Sequence, residues 1–184
     1  MSKLASFERR AKEILQKVGD IQSEFELSSR AQDWMYCDLI EHTADALKTL
    51  LTYHYLLSAN RIQQMVMTFE ELMINSVYEH EKDNIIISRY RIGIRGLCIQ
   101  VIESGSEGFD VSSKIEQARK NPNKLTKKMV LEHRGNPDNP QQGGVGMFCL
   151  LNFVQEFEYS HKGNKVIARL TAEEMDAIDS RGGR

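Results

Sequence analysis

Residues 3 to 25 place Leu4, Phe7, Ala11, Ile14, Val18, Ile21 and Phe25 in alternating steps of three and four, with Lys, Arg, Glu and Gln between them. That spacing is a heptad seam and predicts an amphipathic helix, which either pairs subunits as a short coiled coil or packs on its own domain. The weak alternation of Ser23 to Ser28 allows a short edge strand at the end of this segment. From Gln32 to Leu57 there is no Gly or Pro, and Met35, Leu39, Thr43, Ala46, Leu47 and Leu50 mark a second helical face. Ser58 and Asn60 offer a break and a helix cap. The helix that follows, Arg61 to Tyr78, carries Ile62, Met65, Val66, Phe69, Leu72 and Met73 on one stripe.

After Lys82 the period shortens to two and β-branched residues take over, in Ile85 to Ile92 and Leu97 to Glu103, joined as a hairpin by Gly93 to Gly96. A long polar stretch, Ser104 to Gly146, contains a possible short helix at Ser113 to Arg119. Loops of this length are usually functional or disordered. A helix at Met147 to Phe153 and a hairpin of Gln155 to Ser160 with Lys165 to Leu170 close the pattern, ahead of a tail expected to fray. The expected architecture is an α/β (α+β) domain: a two-layer sandwich of a mixed or antiparallel sheet with helices on one face, plus the N-terminal helix. The divisions are 1–22 for that helix, 23–170 for the main domain and 171–184 for the tail.

Composition narrows the function. Of twelve glycines only Gly19 falls in the first 92 positions, and all three prolines lie in the second half. The formal charge is −2, with 24 basic against 26 acidic side chains, so there is no global field to hold a phosphate backbone. Nucleic acid is not an expected partner. No apolar run approaches the roughly 20 residues of a membrane span, and the N-terminus lacks the apolar core of a signal peptide, so a cytoplasmic location is expected. Cys37, Cys98 and Cys149 are odd in number and without a CxxC pair, and each reads as a small buried hydrophobe. The five histidines show no metal-ligand spacing.

Three segments could carry chemistry. In FEELMINSVYEH, Glu71 and Asn75 stand one turn apart on the side of the helix away from the apolar stripe, a carboxylate and a carboxamide that suit a general base and a magnesium ligand, or simply a solvated face. In ESGSEGFD, Glu103 ends an apolar strand as a hydrogen-bond acceptor, and Gly105 and Gly108 permit close backbone approach, or form a plain turn. In QQGGVGMFCLLNFV, Gly143, Gly144 and Gly146 lead directly into a helix whose free N–H groups and dipole suit an anion, or they form a hinge.

The order of these segments resembles the GHKL (Bergerat-fold) ATPase and kinase superfamily, and over Ser23 to Leu170 its anti-sigma-factor serine/threonine-protein kinase branch. NFVQEFEYSHKGNKVIARL, a helix then a hairpin with a GN turn, is particularly similar to that branch. The resemblance implies ATP and Mg2+ as cofactors, Glu71 as catalytic base and Asn75 as magnesium ligand. It further implies Glu103 on the adenine amino group, Gly105 and Gly108 at the adenine floor, and Gly143, Gly144 and Gly146 around the phosphates. It also implies an anti-anti-sigma-type protein substrate, a sigma factor bound in competition, and a homodimer. The chain departs from the family pattern at Glu103, where Asp is usual, in one extra residue between Gly105 and Gly108, in His80 one position late, and at Gln142, where a basic residue often stands. The altered acid-and-glycine box and Gln142 support one rival reading, a non-catalytic adaptor on the same fold; another is a bare ATPase or the catalytic module of a sensor system, with the N-terminal heptad as its signalling helix.

Overall fold

The computed structural model describes residues 3–78, 83–104, 116, 145–160 and 162–173. Its first helix, α1 (Lys3–Gln16), is shorter than the heptad seam predicts. The helix tightens through three-residue turns at Lys17, Val18 and Gly19 and ends there, because Gly19 takes φ +78°, a left-handed conformation that terminates helices. Ile21 and Phe25, read as the end of the seam, instead lie in an extended strand, β1 (Ile21–Arg30). The three-and-four spacing continues past the glycine by coincidence, and the alternation over Ser23 to Ser28 is the better guide.

The segment from Gln32 to Leu57 is two helices, α2 (Ala31–Tyr36) and α3 (Leu39–His54), separated at Asp38, which adopts φ 50°. Aspartate tolerates this conformation better than most residues, so the chain turns without Gly or Pro. The buried face of α3 is Thr43, Ala44, Leu47 and Leu51, while Ala46 is exposed. Next comes α4 (Ala59–Tyr78), capped by Ser58, whose Oγ accepts the Arg61 N–H at 3.2 Å. The remaining elements are β2 (Ile85–Gly93), β3 (Gly96–Glu103), α5 (Val145–Asn152), β4 (Glu156–Tyr159) and β5 (Lys165–Thr171). Of the expected helix at Ser113 to Arg119 only Glu116 is described, and it is helical; the rest of it and the tail beyond 173 lie outside the described residues.

The five strands form one antiparallel sheet in the order β1-β2-β3-β5-β4. Period-two alternation sorts each strand between two layers. Ile86, Tyr90, Ile92, Leu97, Ile99, Val101, Val166, Ala168 and Leu170 face the helices and build the main core with Trp34, Leu47, Leu51, Met65, Phe69, Met73 and Leu150. Phe25 stands directly opposite Tyr90 in register, with ring centroids 4.4 Å apart. The α+β sandwich expected from the sequence is therefore present, with α2 to α5 on one face.

The opposite face carries α1. Phe7, Ala11, Ile14 and Val18 pack there on Cys98 and Ile167 as a second, smaller core. Charges tie the same contact: Lys17 and Arg10 reach Glu156 of β4 at 2.6 and 3.2 Å, and Arg169 of β5 joins them at 3.1 Å. Burial alone would push the Glu156 carboxyl up, but the Lys17 ammonium and the Arg169 guanidinium outweigh it and hold it below its ordinary value. Beyond α1 the same face shows cross-strand ion pairs, Glu24 with Arg91 at 2.6 Å and Glu26 with Arg89.

Candidate functional site

The site begins on α4. Five polar residues, Arg61, Gln64, Thr68, Glu71 and Asn75, follow one another in steps of three and four, a second stripe beside the apolar one. Thr68 satisfies itself by donating to Gln64 O at 2.8 Å. The stripe is not solvated. Glu71 is 9% exposed and Asn75 half-buried, and α5 packs along α4.

Asn75 and the glycine-rich helix start are in direct contact. A β-carbon built on Gly146 would stand 2.3 Å from Asn75 Nδ2 and 3.4 Å from its Cγ, so a hydrogen at this position is what lets α5 reach the carboxamide. A helix N-terminus is thereby set against an oxygen-bearing side chain, with a carboxylate one turn away. Gly143 and Gly144, the other glycines expected around the phosphates, lie outside the described residues.

Glu103 is the last residue of β3. The alternation that turns Leu97, Ile99 and Val101 toward the helices puts Glu103 on the same face, 5% exposed. Its place is fixed from both sides: its N–H donates to Asn164 O in the β4–β5 turn at 3.0 Å, and the next residue, Ser104, donates its N–H to Ile85 O at 2.9 Å. Asn164 is held in turn by Ser160, whose Oγ donates to Asn164 Oδ1 at 2.9 Å. The Glu103 charge is felt by Tyr159 of β4, whose phenol is pushed above its ordinary range by burial first and by Glu103 second. Gly105 and Gly108, expected at the adenine floor, lie outside the described residues, as do His80 and Gln142.

The donor chemistry fits a magnesium nucleotide. The Asn75 carboxamide oxygen is a hard donor of the kind Mg2+ prefers, the Glu71 carboxylate one turn away suits a base, and the bare Gly146 lets the start of α5 close on the carboxamide. A thiolate role is less well supplied. Cys98 and Cys149 are buried, and burial pushes the Cys98 thiol up to about 12, so it stays protonated at neutral pH. Cys37, expected inside, is exposed at the break between α2 and α3. A cleft of about 680 Å³ lies on the far side of the sheet, between α1 and β5, lined by Arg10, Lys17, Arg95 and Arg169 among others. It contains none of the residues above, and Glu156 already engages three of its four cations.

Two residues of this region were not singled out in the sequence. Arg61 could have been found, since it falls on the same three-and-four spacing as Glu71 and Asn75. Tyr159 could not, because one aromatic in a short strand reads as core.

Among the described residues no helix is long and apolar enough to cross a membrane. Residues 37–170 match the family model of the histidine kinase-like ATPase domain. No curated protein matches the chain.

Proposed function

The chain belongs to the histidine kinase-like ATPase family, and from that premise we propose that it is a regulatory serine/threonine-protein kinase of the anti-sigma-factor type. Its ATP-binding module would use Mg2+ and phosphorylate an anti-anti-sigma-type partner. A sigma factor as competing ligand and a homodimer belong to the same reading. The observation that carries the nucleotide site is the contact between Asn75 and Gly146, with Glu71 one turn away on the same buried stripe.

Each residue has a task that its position suits. Glu71, shielded from bulk water, would accept the proton of the attacking serine or threonine hydroxyl as the hydroxyl oxygen bonds to the terminal phosphorus and the bond to the bridging oxygen breaks, releasing ADP. Asn75 would hold the metal through its carboxamide oxygen. The first N–H groups of α5, from Val145 and Gly146 on, would set the positive end of the helix dipole against the phosphates and stabilise charge on the leaving diphosphate. Glu103 accepts a hydrogen bond from an exocyclic amino group and so selects adenine. When bound, Mg-ATP supplies the phosphoryl group and the metal neutralises charge on the phosphate oxygens.

Calorimetry with ATP, with and without Mg2+, followed by transfer of labelled phosphate to an anti-anti-sigma-type protein, tests this reading. Magnesium-dependent binding and labelling on serine or threonine are expected. No detectable heat at millimolar nucleotide would overturn both enzymatic readings. Tight binding without partner labelling would favour the ATPase module or the adaptor.

A further inference from the structure

Arg61 is the most deeply withdrawn charge on the polar stripe, and the nucleotide site, which uses Glu71 and Asn75, leaves it without a task. It lies in the first turn of α4 and is 2% exposed, among the largest fully buried side chains described. A guanidinium withdrawn this far from water is usually paired with a carboxylate. Arg61 instead meets oxygens of neutral groups: Nε and Nη2 donate to Thr171 O at 3.3 and 2.9 Å, and Nη1 donates to Phe153 O at 3.3 Å and Gln64 Oε1 at 3.0 Å.

Those carbonyls mark ends of elements. Phe153 closes α5, its own N–H bonded to Cys149 O at 2.8 Å, so the guanidinium caps the negative end of that helix. Thr171 ends β5. One side chain thus joins the start of α4, the end of α5 and the end of β5. At the other end of α5, Gly146 lies against Asn75, a residue of the same stripe. With eight residues α5 is about 12 Å long, two turns that move as one piece. Fixing its C-terminal end fixes its N-terminal end.

We propose that Arg61 is a positioning residue for the nucleotide site: by holding Phe153 O and Thr171 O it sets where α5 lies along α4, and hence how closely the Gly146 turn meets Asn75. The inference rests on the nucleotide reading for its functional half. Its structural half stands on α5 alone.

The test uses the full chain and two variants, Arg61→Lys, which keeps the charge but loses the fork, and Arg61→Met. Amide exchange in 145–152 is compared with exchange in 85–103, and calorimetry measures MgATP and adenosine separately. In Arg61→Lys, exchange in 145–152 is expected to rise about tenfold with 85–103 unchanged, the mark of local opening. MgATP is expected to bind about tenfold more weakly, as for other outer-shell supports, while adenosine, held through Glu103, binds as before. Unchanged exchange in 145–152, equal loosening of both segments, or parallel losses for MgATP and adenosine would each overturn the proposal. Should Arg61→Met fail to fold, the lysine variant decides. A wild-type chain that binds no MgATP overturns the nucleotide reading itself, and the exchange comparison, which needs no nucleotide, still decides whether Arg61 sets α5.

Discussion

The Asn75 carboxamide nitrogen occupies the space into which a β-carbon on Gly146 would project, 2.3 Å from that position. Two segments separated by some seventy residues of sequence therefore meet with no room for a methyl group. The contact is narrow enough to be probed by three atoms.

Gly146→Ala is expected to separate stability from binding. Alanine is favoured over glycine in a helix interior by about 1 kcal/mol, less at the second residue of α5, and displacement of the Asn75 amide offsets that gain, so the melting temperature should change little. The added methyl group must displace the Asn75 amide, and MgATP affinity should fall about tenfold or more, as when a group supporting a metal ligand is lost. Thermal melting and calorimetry on the same preparation check both expectations. A joint fall in stability and affinity would show instead that α5 had unpacked.

Glu71→Ala is expected to leave MgATP binding largely intact and to slow phosphoryl transfer by roughly 10²- to 10⁴-fold, the range for removal of a general base. Single-turnover transfer at saturating nucleotide isolates that step. A folded, ATP-binding variant that phosphorylates its partner at the wild-type rate would remove Glu71 from the mechanism.

Glu156 predicts how the N-terminal helix responds to acid. Its carboxyl is held below its ordinary value of 4.5 by Lys17 and Arg169, against the upward push of burial. A depressed folded pKa means that the stabilisation is complete above the ordinary value and is lost as pH falls through the folded one. Docking of α1 should therefore weaken below about pH 4.5 and lose its acid dependence in Glu156→Gln, which should cost about 1 kcal/mol at neutral pH. Urea titrations from pH 3 to 7 on both chains measure this.

Ile14→Ala tests the independence of that helix. The side chain is fully buried on Cys98 and Ile167, and its truncation should cost 2–5 kcal/mol at the α1 contact by the usual range for isoleucine or leucine deletions. Since α1 lies on the far face from Asn75, MgATP affinity should not change. Denaturant unfolding and calorimetry read the two quantities.

Much of this arrangement is legible in the sequence, for identifiable reasons. The stripe of Ile62, Met65, Phe69 and Met73 predicts the inner face of α4 because burial there is continuous over about three turns. The alternation in Ile85 to Ile92 and Leu97 to Glu103 gives the central hairpin, since side chains of period two must sort to two faces. The heptad seam misleads past Gln16 because apolar spacing carries no record of φ, whereas Gly19 does and was the better signal. The turn at Asp38 escapes because aspartate is only a tolerant residue there, not a marker. In the site, Glu71 and Asn75 are readable as a one-turn pair, but not their burial, nor the contact that α5 makes with Asn75 from a distant part of the chain. Arg61 is readable as a member of that spacing, but its task is not: its partners, Phe153 O and Thr171 O, are backbone atoms, and no side-chain pattern announces them.

The sheet has occupants on both sides, and β3 and β5 are party walls. Cys98 and Ile167 look out to α1, while their neighbours Leu97, Ile99, Val166 and Ala168 look in to the helical layer, whose α4 carries both Glu71 and Asn75. A reporter dye placed on exposed Lys12 would therefore sit a full strand layer away from bound nucleotide and could not block its entry. It would register the site only through motion of the wall itself, so any nucleotide-dependent signal from that position would measure how stiff the sheet is.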